Sequence, residues 1–134
     1  MISDDVKQTL IKRAVVAQHH AYVPYSHYAV GAALLTSSGK IYDGANIENA
    51  VYPLTLCAER VAIFKAVSEG EIGLDAIAVV TRNGGTPCGS CRQVIREFGK
   101  TAIVLIANEN GDLLQETTLE NLLPDSFGPE DLES

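Results

Sequence analysis

Val6, Leu10, Ala14 and Ala17 recur at helical spacing, with Lys7, Lys12 and Arg13 on the other faces. Ser3 before Asp4 and Asp5 is a helix start, so the pattern predicts a helix from about Asp4 to about Ala21, stopped by Pro24. The period then changes. Tyr28 to Thr36 reads as a strand, Ser37-Ser38-Gly39 as a turn and Lys40 to Ala45 as a returning strand. Asn46 to Leu56 has weak periodicity and contains Pro53, which predicts a loop. A second helix follows from Cys57 or Ala58 to about Ser68, ended by Gly70.

Two unbroken apolar runs come next, Ala76 to Thr81 and Thr101 to Ala107, both fit for strands buried on two faces. Between them lie a Gly-rich loop, Arg82 to Thr86, and a third helix, Cys88 to Phe98, with Gly99 as its stop. Asn110-Gly111 turns into a weak strand at Asp112 to Thr117, and Thr118 to Leu122 predicts a short helix before an irregular end. Two strand–helix–strand crossovers with buried strands imply an α/β fold, a mixed sheet covered by helices on both faces. The length accommodates one domain, residues 1–134, with an acidic segment from about residue 118.

Charge narrows the partners. Residues up to 108 carry ten Lys/Arg against nine Asp/Glu, and the remainder carries eight acids and no base. With no basic cluster to track a phosphate backbone, a polynucleotide partner is not expected. No apolar run approaches membrane-spanning length, and the first residues lack a basic stretch before an apolar block, so the expectation is a cytoplasmic protein with no membrane partner.

All three cysteines fall in two phrases, Cys57-Ala58-Glu59-Arg60 and Pro87-Cys88-Gly89-Ser90-Cys91-Arg92-Gln93. An odd count in a cytosolic chain suits metal ligation better than disulfides. Cys88 and Cys91, three apart at a helix start, share one face and can grip one ion. Cys57 would supply the third ligand from another helix start, where the positive helix end favours thiolate. Three ligands leave a zinc coordination position open to water, and Glu59 is the carboxylate beside it that can move protons. For Glu59 and Cys57 to face the same point, Cys57 must stand in the half-helical first position. Three thiolates and one Zn²⁺ sum to a negative centre that opposes water ionisation, and Arg60 is the expected electrostatic offset.

Each residue also has an ordinary meaning. A Cys-x-x-Cys pair alone can be a redox dithiol or part of a closed structural zinc site, which here would need His19, His20 or His27 as fourth ligand. Asn46 and Glu48 are common turn formers, and Tyr28 and Tyr52 are more often packing residues.

Taken together, the motifs resemble those of the small homotetrameric zinc-dependent cytidine deaminases over nearly the whole chain. The matching segments are Tyr25-Ser26 with Val30-Gly31-Ala32-Ala33-Leu34-Leu35, then Asn46-Ile47-Glu48-Asn49-Ala50, the two cysteine phrases, and Leu122-Leu123-Pro124-Asp125-Ser126-Phe127. The resemblance implies a three-layer αβα fold with a five-stranded mixed sheet. It implies one Zn²⁺ per subunit on Cys57, Cys88 and Cys91, with Glu59 as proton shuttle. It further implies Asn46 and Glu48 on the ribose hydroxyls, backbone at Ala58 on the pyrimidine carbonyl, and Tyr28 against the base. Phe127, and Tyr52 likewise, would come from a neighbouring subunit of a homotetramer.

The implied reaction is hydrolytic deamination of free cytidine and deoxycytidine in pyrimidine salvage. Alternatives are a deaminase of another aminopyrimidine or nucleoside-like antibiotic, or a non-catalytic structural zinc module. Two positions depart from the family pattern: Tyr28 stands where Phe is usual, and Ser90 where Ala is common. The Asn-Ile-Glu-Asn loop and Arg60 separate the chain from the related blasticidin deaminases.

Overall fold

Ser3 opens the first helix by accepting a hydrogen bond from the Val6 amide at 3.2 Å, and α1 runs Asp4–Gln18. The computed structural model describes residues 2–133; Met1 and Ser134, the ends of the expected 1–134 span, lie outside the described residues. The helix stops three residues before the expected Ala21. Tyr22 instead donates its amide to Asn46 and accepts from Glu48, and this extended bridge draws the backbone out of the helix.

The strands are β1 (Gly31–Thr36), β2 (Ile41–Ala45), β3 (Leu74–Thr81), β4 (Ile103–Asn108) and β5 (Leu113–Thr118). The helices are α2 (Ala58–Ser68), α3 (Gly89–Phe98) and α4 (Leu119–Leu122). Short 3₁₀ turns at Tyr52–Leu54 and Pro129–Leu132 interrupt segments expected to be irregular. The first strand begins at Gly31, not Tyr28, because the Asn46 side chain takes the Tyr28 carbonyl and the Val30 amide. The third strand begins two residues early. Asp75 breaks its apolar run but finds a partner in Ser37 Oγ at 2.9 Å. Both buried strands keep their expected character, and β5 is the exposed outer strand.

The sheet order is β2-β1-β3-β4-β5, with β3 and β4 parallel and the other neighbouring pairs antiparallel. The expected three-layer αβα architecture with a five-stranded mixed sheet is the one found. Alternate residues serve opposite faces. Ala32, Leu34, Ile77, Val79, Val104 and Ile106 pack with α2 and α3, whereas Ala33, Ala76, Ala78, Val80, Leu105 and Ala107 pack under α1.

On the α1 side the sheet residues are small, and the helix backbone comes close. A Cβ on Gly31 would lie 2.0 Å from the Ala14 carbonyl oxygen, so only glycine fits there. No helix among the described residues is long and apolar enough to cross a membrane.

This topology positions the functional residues. β2 and β3 are each antiparallel to β1, hence parallel to one another and to β4. The units β2-α2-β3 and β3-α3-β4 are therefore two successive crossovers stepping the same way across the sheet. Crossovers of one hand put both helices on one face, and α2 and α3 indeed share one core. Each helix starts beyond the carboxyl end of its preceding strand, so both N-termini open at the same sheet edge.

Candidate metal centre and pocket

Cys57 is the N-cap of α2, extended at φ −72° and ψ 153°, and Cys88 is the N-cap of α3 at φ −66° and ψ 168°. Both thiols thus stand at positive helix ends. Cys88 Sγ accepts the Cys91 amide at 3.4 Å, which folds Cys91 toward the same point. The three sulfurs lie within 4.8 Å of one another, and Cys57 Sγ and Cys88 Sγ are 3.9 Å apart. Sulfurs around a tetrahedral zinc with bonds of about 2.3 Å stand roughly 3.8 Å apart, so the donor set fits that ion. Among the described residues no histidine joins this group, and His19 and His20 are exposed on the surface after α1. A fourth imidazole closing the site is not part of this cluster.

The electrostatics agree with an acquired cation. A hydrogen bond from Cys91, then Arg60, pulls the Cys57 thiol well below its ordinary value, while the same thiol pairing and burial push Cys91 up. Arg60 Nη2 donates to Cys57 Sγ at 3.4 Å, and its buried Nε has no partner of its own. Arg60 therefore places its charge against the thiolates, where it was expected.

Glu59 is 4% exposed, and burial pushes its carboxyl up to about 7, aided by the charge on Cys57. Because Cys57 is a cap and not a helical residue, Glu59 and Cys57 face one cavity of about 320 Å³. Tyr28, Asn46, Glu48 and Cys88 line it as well. Six residues singled out in the sequence are thus brought together, and Cys91 is fully buried at the same cluster. Asn46 is anchored to backbone: its Oδ1 accepts from the Val30 amide and its Nδ2 donates to the Tyr28 carbonyl, each at 2.9 Å. Tyr28 Oη donates to Asn83 Oδ1 at 2.7 Å, and Arg82 lies 5.1 Å from its ring centre.

Ala58, Phe127 and Tyr52, each expected at the substrate, are not in this wall. Ala58 is fully buried at the first position of α2, and Phe127, 57% exposed, lies in the C-terminal segment. That segment is tied to α3. Gln93 Nε2 donates to the Phe127 carbonyl at 2.9 Å, Arg96 Nε donates to Ser126 Oγ at 2.8 Å, and Arg92 Nη1 donates to the Leu122 carbonyl at 2.8 Å. Val79, Thr81 and Thr86 also line the cavity and carry no motif of their own in the sequence; Ser26, part of a matching segment but with no role implied there, lines it too. Ser26 shares a second recess of about 430 Å³ with Glu48, Tyr25 and Tyr52.

Residues 4–107 match the family model described as the cytidine and deoxycytidylate deaminase zinc-binding region. The chain belongs to this deaminase family. It is 51% identical to the cytidine deaminase of Sporosarcina psychrophila, over 93% of either chain. It is 52% identical to that of Halalkalibacterium halodurans, over 94% of this chain and 97% of the other. Among solved structures, cytidine deaminase from Burkholderia pseudomallei superposes with a TM-score of 0.85 at 44% identity, covering 94% of this chain and all of that one. The Mycobacterium tuberculosis enzyme gives 0.82 at 39%, covering 95% and 99%. Zinc is the metal of this family, and the three-cysteine cluster is the deaminase feature that suits it.

Proposed function

We propose that this chain is a single-domain cytidine deaminase, which hydrolyses cytidine and deoxycytidine to uridine and deoxyuridine with release of ammonia. The observation that carries the reading is a buried carboxyl, Glu59, facing the same cavity as a cluster of three cysteines at two helix starts. Zinc held by Cys57, Cys88 and Cys91 supplies Lewis-acid activation of water. The chain's own residues do the rest. Glu59 takes up a proton on a carboxylate oxygen, delivers it to N3 of the pyrimidine, and passes a second to the departing amine. Over the cycle one water is consumed: its oxygen bonds to C4, its two protons reach N3 and the amine by way of Glu59, the C4–N bond breaks to release ammonia, and Glu59 returns to its starting state.

Binding falls to the neighbouring wall. Asn46 and Glu48 hold the sugar hydroxyls, and the anchoring of Asn46 to residues 28–30 keeps its amide in one orientation. The amide of Ala58, a first-turn group with no partner inside its helix, faces the pyrimidine carbonyl. Tyr28 packs on the base, with its hydroxyl already spent on Asn83. Arg60 offsets the thiolate charge.

Phe127, exposed on a tethered backbone, stacks on a base bound by a neighbouring copy. Tyr52, 70% exposed, approaches from a neighbour in the same way, and a homotetramer accounts for both. The enzyme acts on free nucleosides in the cytoplasm.

The test is the ultraviolet change on mixing zinc-loaded protein with cytidine, run beside deoxycytidine, cytosine and CMP. Turnover of the two nucleosides over cytosine and CMP is expected. No response to any of the four would leave a zinc module without catalysis.

A further inference from the structure

Between α1 and β1 the chain folds over Glu48. The amides of Tyr25 and Ser26 donate to Glu48 Oε1 at 3.0 and 3.1 Å, and the Ser26 hydroxyl donates to Oε2. The same Ser26 Oγ accepts the Tyr28 amide at 3.0 Å. His27 stands between these residues at φ 57°, a left-handed conformation that a non-glycine residue adopts only when its surroundings hold it there. Its amide is tied back to the Val23 carbonyl at 3.0 Å. The strained residue lets Ser26 and Tyr28, on either side of it, both line the cavity.

Glu48 is half-buried, and left alone its long side chain would sample several rotamers. Three charge-assisted hydrogen bonds oppose that freedom. A carboxylate has about four acceptor sites, so three donors leave one for a ligand. Ser26 is the one donor on Oε2, the oxygen that retains the remaining site.

We propose that Ser26 is a positioning residue for substrate: its hydroxyl locks Glu48 with one free acceptor toward the cavity, selecting nucleosides whose sugar carries a free hydroxyl there. The inference rests on the reading of Glu48 as a sugar contact. An acceptor-only group held in place rewards a hydroxyl donor and repels a phosphate at the same position. A sugar without a hydroxyl at that position leaves the locked carboxylate without its last partner.

The experiment compares kcat/KM for cytidine and 2′,3′-dideoxycytidine in the zinc-loaded full chain and its S26A, S26T and E48A variants. S26A is expected to lower the cytidine value on the order of tenfold, mainly through KM. The loss on dideoxycytidine should be within about twofold, and S26T, which keeps the hydroxyl, should recover most of the difference. Equal losses on the two nucleosides would make Ser26 merely a fastener of the turn and overturn the proposal, as would no loss at all. If E48A collapses the cytidine preference and S26A does not, Ser26 alone is wrong. If E48A leaves the preference intact, the sugar reading of Glu48 falls, and the role of Ser26 falls with it.

Discussion

Glu59 owes its behaviour to position more than to type. An exposed glutamate at a helix start is an unremarkable acid, but this one is sealed beside a thiolate and its carboxyl is held near 7. Glu59→Ala is expected to retain zinc and lose about 10²–10⁴ in kcat, checked by metal analysis alongside steady-state rates. Arg60 acts on the ligands themselves. After the hydrogen bond from Cys91, its hydrogen bond and charge lower the Cys57 thiol, so removing it raises that thiol and lets protons compete better with zinc. Arg60→Gln should therefore release zinc at a higher pH than the parent and weaken affinity roughly tenfold, read by chelator titration across pH. Unchanged release would mean the guanidinium merely packs there.

Two elements set the frame, α1 against the sheet and the C-terminal segment against α3. The first depends on Gly31, because a methyl there would drive into the backbone of α1. Gly31→Ala should cost about 1–3 kcal/mol or more through forced separation of the layers, measured as a fall in Tm. The second depends on Arg96, 4% exposed, which bonds both Ser126 and Glu130. That hydrogen bond to Arg96, with its charge, holds the Glu130 carboxyl below its ordinary value of 4.5.

A depressed carboxyl stabilises the fold fully above the unfolded value and loses that contribution as pH falls through the lower folded one. Glu130→Gln should thus lower Tm at neutral pH, and the gap from the parent should close in acid. A gap independent of pH would assign the effect to packing alone.

For the molecule as a whole, the exposed Phe127, which does not line its own chain's cavity, makes the assembly testable in one step. In the proposed tetramer each site combines its own Glu59 with a neighbour's Phe127. Glu59→Ala and Phe127→Ala copies, assembled together, should give more activity than the sum of the separate preparations, because mixed contacts restore complete sites. Purely additive rates would place Phe127 outside the neighbour's site.

The cysteine phrases, the apolar runs and the capping signals were legible along the chain because each is local: ligand spacing, strand period and helix starts are set by near neighbours in sequence. Hence the gathering of the three cysteines with Glu59 beside them, the helix starts and the two buried strands were readable directly. Boundaries shifted where a distant group competed for backbone, as the Asn46 side chain does at residues 28–30 and the main chain of Asn46 and Glu48 does at Tyr22. Ser26 stood in a matching segment but its role was not legible there, since its part arises only when a turn after α1 meets a carboxylate twenty-two residues on. Sequence alone determined which chemistry the chain carries, because donor atoms and their spacing are covalent facts. Tertiary structure decided where that chemistry is aimed, because parallel crossovers of one hand bring two helix starts to one sheet edge and close a cavity around them.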